Sequence, residues 1–524
     1  MNEKATPWIQ IVQLDKPSLK NNTADAERLL QALRSQLKIA TVDIDLSVLK
    51  TLPKILRDHD FNIRCVLFKE KHQWVLTDIQ DARDTQLCAG LAIDLGTTRV
   101  VLRLVDLASG RPLTESAFDN PQETIGPDVL SRIHFAEKKD GLGHLNDLIV
   151  NGLNSAIAQL CDSQQLTPEH IYALTVAGNT TMTHLFMGLS PRWIIREPYI
   201  PVANNPGVIK AAALGLRAHP RARVLIFPNI GSYFGGDLIA GALFSRIYQS
   251  SRTCVLVDVG TNAEVLLGNK NWLIACAGAA GPALEGGVTR MGMTAGPGVI
   301  DQIKVDATTL AFDIHTIDEL PPIGICGSGV IDLAAQLFLS GMIDIRGQLV
   351  PAVCGSKLKI IDGLSHLVVV PAESSATGAD LTLSQADLDS LMRSKAAMYT
   401  ILETITESVG ITPHELASFY VAGTFGSFID PESAISIGML PDLPRDRYKS
   451  LGNSSLGGAT LALESDAYHD EINQIRERIT YLELNVNQDF MNRFSAAKFL
   501  PHTNTSLFPS IKTAQKKKLK AEPD

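Results

Sequence analysis

The stretch Ala92-Ile-Asp-Leu-Gly-Thr-Thr-Arg-Val100 decides the fold, because its pattern returns later as Val257-Asp-Val-Gly-Thr-Asn-Ala-Glu-Val265. Each copy starts with aliphatic and β-branched residues, reaches an aspartate (Asp94, Asp258), turns through Gly-Thr and leaves on another apolar run. That pattern predicts a strand, a tight turn and a second strand. The glycine, Gly96 or Gly260, lets the backbone approach a ligand closely. The exposed N–H groups, with the hydroxyls of Thr97, Thr98 and Thr261, suit phosphate oxygens. An aspartate at the mouth of each turn can hold Mg2+ directly or through water, since Mg2+ prefers oxygen ligands and keeps several waters. One Asp-x-Gly turn is ordinary turn chemistry. Two in one chain point to duplicated domains facing each other across a nucleotide.

The 524 residues exceed one ordinary core and call for several domains, and a hydrophobic share of 45% marks them as globular. A net charge of −9 argues against nucleic acid as the main partner, and the basic run Lys516 to Lys520 reads as a solvated tail. The N-terminus has no apolar leader core, and no stretch approaches the roughly 18 apolar residues of a membrane helix. A cytoplasmic protein without a membrane partner is expected. None of the seven cysteines falls in a C-x-x-C pair, so zinc ribbons and ferredoxin motifs are unsupported.

Five segments follow in order. Residues 1–88 read as a small α+β unit. It has a strand at Ile9–Leu14 and a helix capped from Asn22 or Thr23. A second helix near Val48–Leu56 is interrupted by Pro53, and a closing hairpin is built from Ile63–Phe68 and Trp74–Ile79. Residues 89–250 form a first large domain. There the strand Ile171–Ala177 ends at Gly178-Asn179-Thr180-Thr181, and a Gly235-Gly236-Asp237 turn opens a helix. Asp237 reads as a helix cap or as a general base for attack on a γ-phosphate. His184, a single histidine on a helix, reads as structural. Residues 251–463 begin with the repeated turn, whose second strand carries Glu264, and continue through a small-residue loop containing Glu285. The segment Gly324-Ile-Cys-Gly-Ser-Gly329 is a strand, turn and helix start, with free N–H groups at Gly327, Ser328 and Gly329 for phosphate or ribose. It is only a partial dinucleotide fingerprint, since Asp332 holds the third glycine position, and no Walker A sequence occurs. Ser384 and Asp387 form a capping box for a long helix, and a later strand breaks into Gly423-Thr424-Phe-Gly426-Ser427. Residues 464–510 are a helix and strand extension, and 511–524 a disordered basic tail.

With both Asp-x-Gly-Thr turns, the Gly423 turn and the Gly457-Gly458-Ala459 helix in place, the chain resembles the actin, Hsp70 and sugar-kinase (ASKHA) ATPase superfamily. The resemblance implies an α/β architecture of two ribonuclease-H-like domains around a nucleotide cleft, preceded by the small α+β domain. It implies ATP and Mg2+ as cofactors, with Asp94 and Asp258 as metal ligands. Asp94 to Thr98 and Asp258 to Asn262 become phosphate loops, and Val421 to Gly426 the adenosine loop. Ala177 to Thr180 and Gly452 to Ala459 become connecting segments. Asp237 stands where sugar kinases carry a catalytic base, with Glu264 the other acid able to position the attacking water.

A narrower resemblance is to the reductive activators of corrinoid proteins. It rests on Gly90–Thr98, Ala177–Leu189, Val257–Asn269, Ala279–Gly287, Gly324–Gly329, Val421–Asp430 and Leu500–Pro509. It implies an ATPase that drives a corrinoid protein of a methyltransferase system from Co(II) to Co(I). Members carry an iron–sulfur domain. Here residues 1–88 hold only Cys65 and Cys88, and no cysteine follows Cys354. No iron–sulfur cluster is therefore expected, and a separate ferredoxin-type donor is. Two alternatives stay open. One is a homodimer bridging a [4Fe–4S] cluster through Cys326, as in activators of 2-hydroxyacyl-CoA dehydratases. The other is a non-redox ATP-binding regulatory module.

Overall fold

The computed structural model describes residues 6–71, 73–259, 263–278, 289–306, 308–423, 429–482, 484 and 488–511. The chain divides into two compact units, Met1–Phe244 with Ser454–Arg478, and Ser245–Asn453 with Ile479–Asp524. The sequence division at 463/464 thus falls inside the first unit. The basic tail from 512 onward lies outside the described residues.

In the first unit, β1 (Ile9–Gln13), β2 (Val42–Ile44), β3 (Asn62–Glu70) and β4 (Gln73–Asp81) form a sheet of order β1-β3-β4-β2. Helices Asp25–Leu37 and Leu46–Asp58 pack on it through Leu29, Leu33, Val48, Leu52 and Leu56. Two local expectations are corrected. The first helix is capped by Ala24 without a side-chain bond, so neither Asn22 nor Thr23 caps it. The second runs unbroken through Pro53, burying its apolar face on both sides of the proline. That packing outweighs the lost backbone bond.

This small layer is fastened to the rest of its unit. Trp8 is fully buried, stacks on Phe68 and His469, and donates its indole N–H to the Leu463 carbonyl at 2.5 Å. Lys69 reaches Asp470 at 2.8 Å and Asp466 at 3.3 Å, while Asp78 accepts from Tyr172 and pairs with Arg221.

The larger sheet of the first unit contains β5 (Ala89–Leu95), β6 (Arg99–Asp106), β7 (Pro112–Asp119), β8 (Ile171–Gly178), β9 (Gly207–Lys210) and β10 (Arg223–Ile226), in the order β7-β6-β5-β8-β10-β9. β5, β6 and β7 form an antiparallel meander, β8 lies parallel to β5, and β10 parallel to β8. β5 and β8 are buried along nearly their whole length, as continuous apolar runs in the centre of a covered sheet must be.

The second unit repeats this wiring. β11 (Cys254–Val259), β12 (Ala263–Gly268) and β13 (Leu273–Gly278) make the meander, and two later strands extend it on the far side of β11. Three strands form a small sheet beside it: β14 (Val299–Val305), β15 (Phe312–Thr316) and β16 (Gly324–Ile325). β17 (Leu358–Ile361), β18 (Leu364–Val370) and β19 (Leu381–Ser384) form another. β20 (Ser418–Ala422) lies parallel to β11 and β21 (Tyr448–Gly452) parallel to β20, with β22 (Ile479–Tyr481) at the other edge. Both large sheets therefore share a core of third, second, first and fourth strand, after which the first continues to β10 with β9 at its edge and the second to β21. Ser384 and Asp387 do form the capping box of the helix Gln385–Glu407.

The small-residue run Gly457-Gly458 has a packing cause. A Cβ at Gly458 would stand 2.1 Å from the Ala240 carbonyl oxygen, and one at Gly457 2.6 Å from the Phe244 ring. Helix Ser454–Glu464 thus meets helix Gly236–Ser245 with almost no side-chain spacer.

His469 holds the small layer while neutral: burial lowers its pKa to about 4, against an ordinary value near 6.5. Its contribution to stability is complete above pH 6.5 and is lost as pH falls towards 4, because the unfolded chain then takes up a proton that the folded one refuses. The loss should be on the order of 3 kcal/mol. Urea denaturation at stepped pH between 7.5 and 4.5 should show that slope, and His469→Gln should flatten it.

Candidate functional site

The carboxylates singled out by the repeat stand at equivalent positions. Asp94 lies next to last in β5, half-buried between buried neighbours, and pairs across to Ala177 of β8. Asp258 lies next to last in β11, also half-buried, and pairs across to Ala422 of β20. After these alanines come Gly178 and Gly423, so Val176-Ala177-Gly178 and Val421-Ala422-Gly423 are the same corner twice.

In the first unit, three polar residues from elsewhere in the chain hold the end of β5 and the turn after it. The hydroxyl of Ser455, at the start of helix Ser454–Glu464, donates to Asp94 Oδ1 at 2.7 Å. Asn179 donates from Nδ2 to Thr97 Oγ1 at 2.9 Å, and its Oδ1 caps the helix Thr180–Phe186 by accepting from Met182 N. Asn120 grips the turn from the other side, donating from Nδ2 to the Gly96 carbonyl at 2.9 Å and from its backbone N–H to the Thr98 carbonyl at 2.7 Å. Gly96 is obligatory, since a Cβ there would sit 2.2 Å from the Arg99 carbonyl. Asp237 is the second residue of helix Gly236–Ser245, with Oδ1 accepting from the next backbone N–H, Leu238, at 2.8 Å. It lies beside the β8 corner: a Cβ on Gly235 would be 2.5 Å from both Asn179 Cα and Asp237 Oδ1.

In the second unit, Asp258 and Glu264 face each other as directly opposed residues of β11 and β12, both half-buried. Gly423 takes φ +83°, and a Cβ there would meet Asp258 Oδ1 at 2.8 Å. Gly260, Thr261 and Asn262 lie outside the described residues, as do Thr424, Gly426 and Glu285.

Gly327, Ser328 and Gly329 open helix Gly327–Ser340, which follows the β14–β16 sheet. All three are buried. Gly329 is explained by packing, since a Cβ would lie 2.5 Å from the Ile300 carbonyl. Cys326 is buried with Sγ 3.1 Å from Ser328 Oγ, and Cys354 is buried against the Met342 carbonyl. Both thiols face the interior of their unit. His184 is structural: its Nδ1–H donates to the Thr180 carbonyl at 2.7 Å, and Nε2 accepts from Val202 N at 3.1 Å.

Asn120 and Ser455 escaped the sequence reading as individual residues. Ser455 lies within a segment already marked by its small residues, but Asn120 carries no motif. Its signal is only an Asn-Pro turn after an edge strand.

Two aspartates at matching strand ends of two sheets that share the same four-strand core define an ASKHA-type fold. The comparisons with known proteins narrow this. Family models for the linker region of RACo match residues 7–86, for the RACo middle region residues 89–250, and for the C-terminal ASKHA domain of RACo residues 252–512. The corrinoid activation enzyme RamQ of Eubacterium limosum is 31% identical over 413 residues, covering 77% of this chain and 69% of that protein. A reductase of the Co(II) methylated amine-specific corrinoid protein from Methanosarcina barkeri is 23% identical over 434 residues, covering 77% and 75%. The solved structure of a reductive activator for corrinoid, iron-sulfur protein superposes with a TM-score of 0.88 and 36% identity, covering 97% of this chain and 82% of that one. The chain belongs to the family of reductive activators of corrinoid proteins. Among the described residues, no helix is long and apolar enough to cross a membrane.

The double role of Asn179 is testable by stability. Asn179→Ala removes a helix cap and the Thr97 tether, and should cost about 1–2 kcal/mol in urea denaturation. Asn179→Asp keeps the cap acceptor and should recover most of that loss.

Proposed function

We propose that this chain uses Mg-ATP to drive reductive reactivation of a corrinoid protein from Co(II) to Co(I), with one electron supplied by a separate ferredoxin-type carrier. The observation that carries the reading is the repeated half-buried aspartate at the same corner of two sheets that share a four-strand core, in a chain of the corrinoid-activator family.

The donor chemistry suits the cofactors. Asp94 and Asp258 are carboxylates at strand ends, partly open to water, with the oxygen character that Mg2+ prefers. They are the residues assigned to hold Mg2+, which when bound neutralises phosphate charge. Gly96, Thr97 and Thr98, with Gly260, Thr261 and Asn262, are assigned to the phosphates. Gly423, Thr424 and Gly426 are assigned to the adenosine, and Gly327, Ser328 and Gly329 to phosphate or ribose. Asp237, one of whose oxygens is fixed by the Leu238 N–H, or Glu264 orients the attacking water.

Hydrolysis does not alter the cobalt potential by itself. It acts by changing which conformation of the activator is populated, and hence which state of the partner is bound. An uphill electron transfer then becomes accessible to a donor that would otherwise fall short.

The test combines two measurements. Phosphate release should fall at least about a hundredfold in Asp94→Ala and in Asp258→Ala. Cobalamin absorbance of a purified corrinoid protein should show Co(I) only with ATP, this chain and reduced ferredoxin together. Undiminished hydrolysis in both variants would sink the nucleotide assignment. Co(I) formation without ferredoxin, from protein carrying stoichiometric iron and sulfide, would instead make the chain its own electron donor.

A further inference from the structure

Beneath the turn that follows β5 lies a cation that the proposed chemistry has not used. Arg132, on the helix Val129–Ala136, is fully buried. Its Nε donates to the Gly126 carbonyl at 2.9 Å. Among the described residues, Nη1 meets weak acceptors, Gln122 Oε1 at 3.4 Å and the Met182 sulfur at 3.3 Å, and Nη2 has no partner. Glu123 and Asp128 act on the guanidinium through space rather than by contact. A buried arginine is ordinarily paired with a carboxylate, because an uncompensated charge in a low-dielectric interior is strongly unfavourable. Among the described residues no carboxylate contacts this guanidinium, so no ion pair compensates the charge.

Both weak acceptors belong to arms that end on the same turn. Gln122 donates its backbone N–H to Asn120 Oδ1, and Asn120 holds the Gly96 and Thr98 carbonyls. Met182 donates its backbone N–H to Asn179 Oδ1, and Asn179 holds the Thr97 hydroxyl. Gln122 and Met182 are themselves fully buried, so neither arm is free to drift. One guanidinium thus touches the two supports that fix residues 96–98 from opposite sides.

We propose that Arg132 is a positioning residue of the first phosphate turn, braced against both of its supports, and that its uncompensated charge is balanced when polyphosphate binds there. This rests on the nucleotide-site reading above. A residue that merely filled space would affect folding and leave ligand discrimination alone. A stored positive charge favours ligands by the number of negative charges they bring.

The experiment is calorimetric titration of ATP and of adenosine against wild type, Arg132→Met and Arg132→Lys, each first confirmed folded by circular dichroism. ATP affinity should fall on the order of tenfold in Arg132→Met while adenosine affinity is unchanged, and Arg132→Lys should recover part of the loss. In parallel, the rise in Tm on adding ATP should shrink in Arg132→Met. Equal losses for ATP and adenosine, or no loss for either, overturn the proposal. Should Arg132→Met fail to fold, Gln122→Met with Met182→Leu removes both side-chain contacts to the guanidinium, while the backbone bonds to Asn120 and Asn179 and the guanidinium itself stay in place. ATP affinity alone should then drop, and an unchanged ratio of ATP to adenosine affinity overturns the proposal. Wild-type protein that binds adenosine and ATP alike, or neither, removes the nucleotide reading itself and with it the role given to Arg132.

Discussion

A carboxylate at the end of a buried strand must be compensated, and much of the first unit is arranged to do this for Asp94. The rest of β5 is enclosed, so an ionised side chain at its end survives only with hydrogen-bond partners and a path to water. One partner, Ser455, comes from far along the chain, on a helix that contacts β5, β6 and β8. To bring that hydroxyl within 2.7 Å, the helix must sit close to its neighbours, and Gly457 and Gly458 allow this. Thr175 of β8 donates to the Ala459 carbonyl and Arg103 of β6 to the Thr460 hydroxyl, so the same helix is tied to the sheet along its length. The glycines, the strand order and the site residue are thus parts of one requirement.

The second unit meets the same requirement differently. There Asp258 faces Glu264 across an antiparallel pair and has Gly423, in a left-handed conformation, close beside it. In the first unit the position opposite Asp94 is Val101, not an acid, and the corresponding corner carries Asn179 as a helix cap. The duplication therefore conserves the corner and its carboxylate while the surrounding polar groups have diverged. Two further acids, Asp237 outside the repeat and Glu264 within its second copy, have no counterpart acid in the other unit.

Much of this was legible in the sequence because it is local. The first Gly-Thr turn, the meander strands and the Ser384–Asp387 capping box are set by residues within a few positions of one another, and they appear where expected. What escaped was either a matter of competition or of distance. The helix Leu46–Asp58 continues through Pro53 because a buried face outweighs one missing backbone bond, a balance invisible to local rules. Ala24 takes the cap position expected of Asn22 or Thr23, while the Asn21 side chain instead accepts from Arg28. Asn120 and Ser455 reach the turn only because the sheet brings residues 24 and 361 positions apart together.

The helix Ser454–Glu464 also links the site to the small N-terminal layer. At one end its Ser455 hydroxyl holds Asp94, and at the other its Leu463 carbonyl receives the indole N–H of Trp8. An α-helix of 11 residues is a rod of about 16 Å, stiff along its axis. Trp8 is itself wedged between Phe68 of the small sheet and His469 of the next helix, whose Asp466 and Asp470 flank hold Lys69. A change in the charge balance at Asp94 that weakens its bond to Ser455 therefore acts on an element whose far end is embedded in the small layer. The close approach of Gly458 to the Ala240 carbonyl seats the same rod against helix Gly236–Ser245, so the site, the small layer and the helix of Asp237 share one packed element.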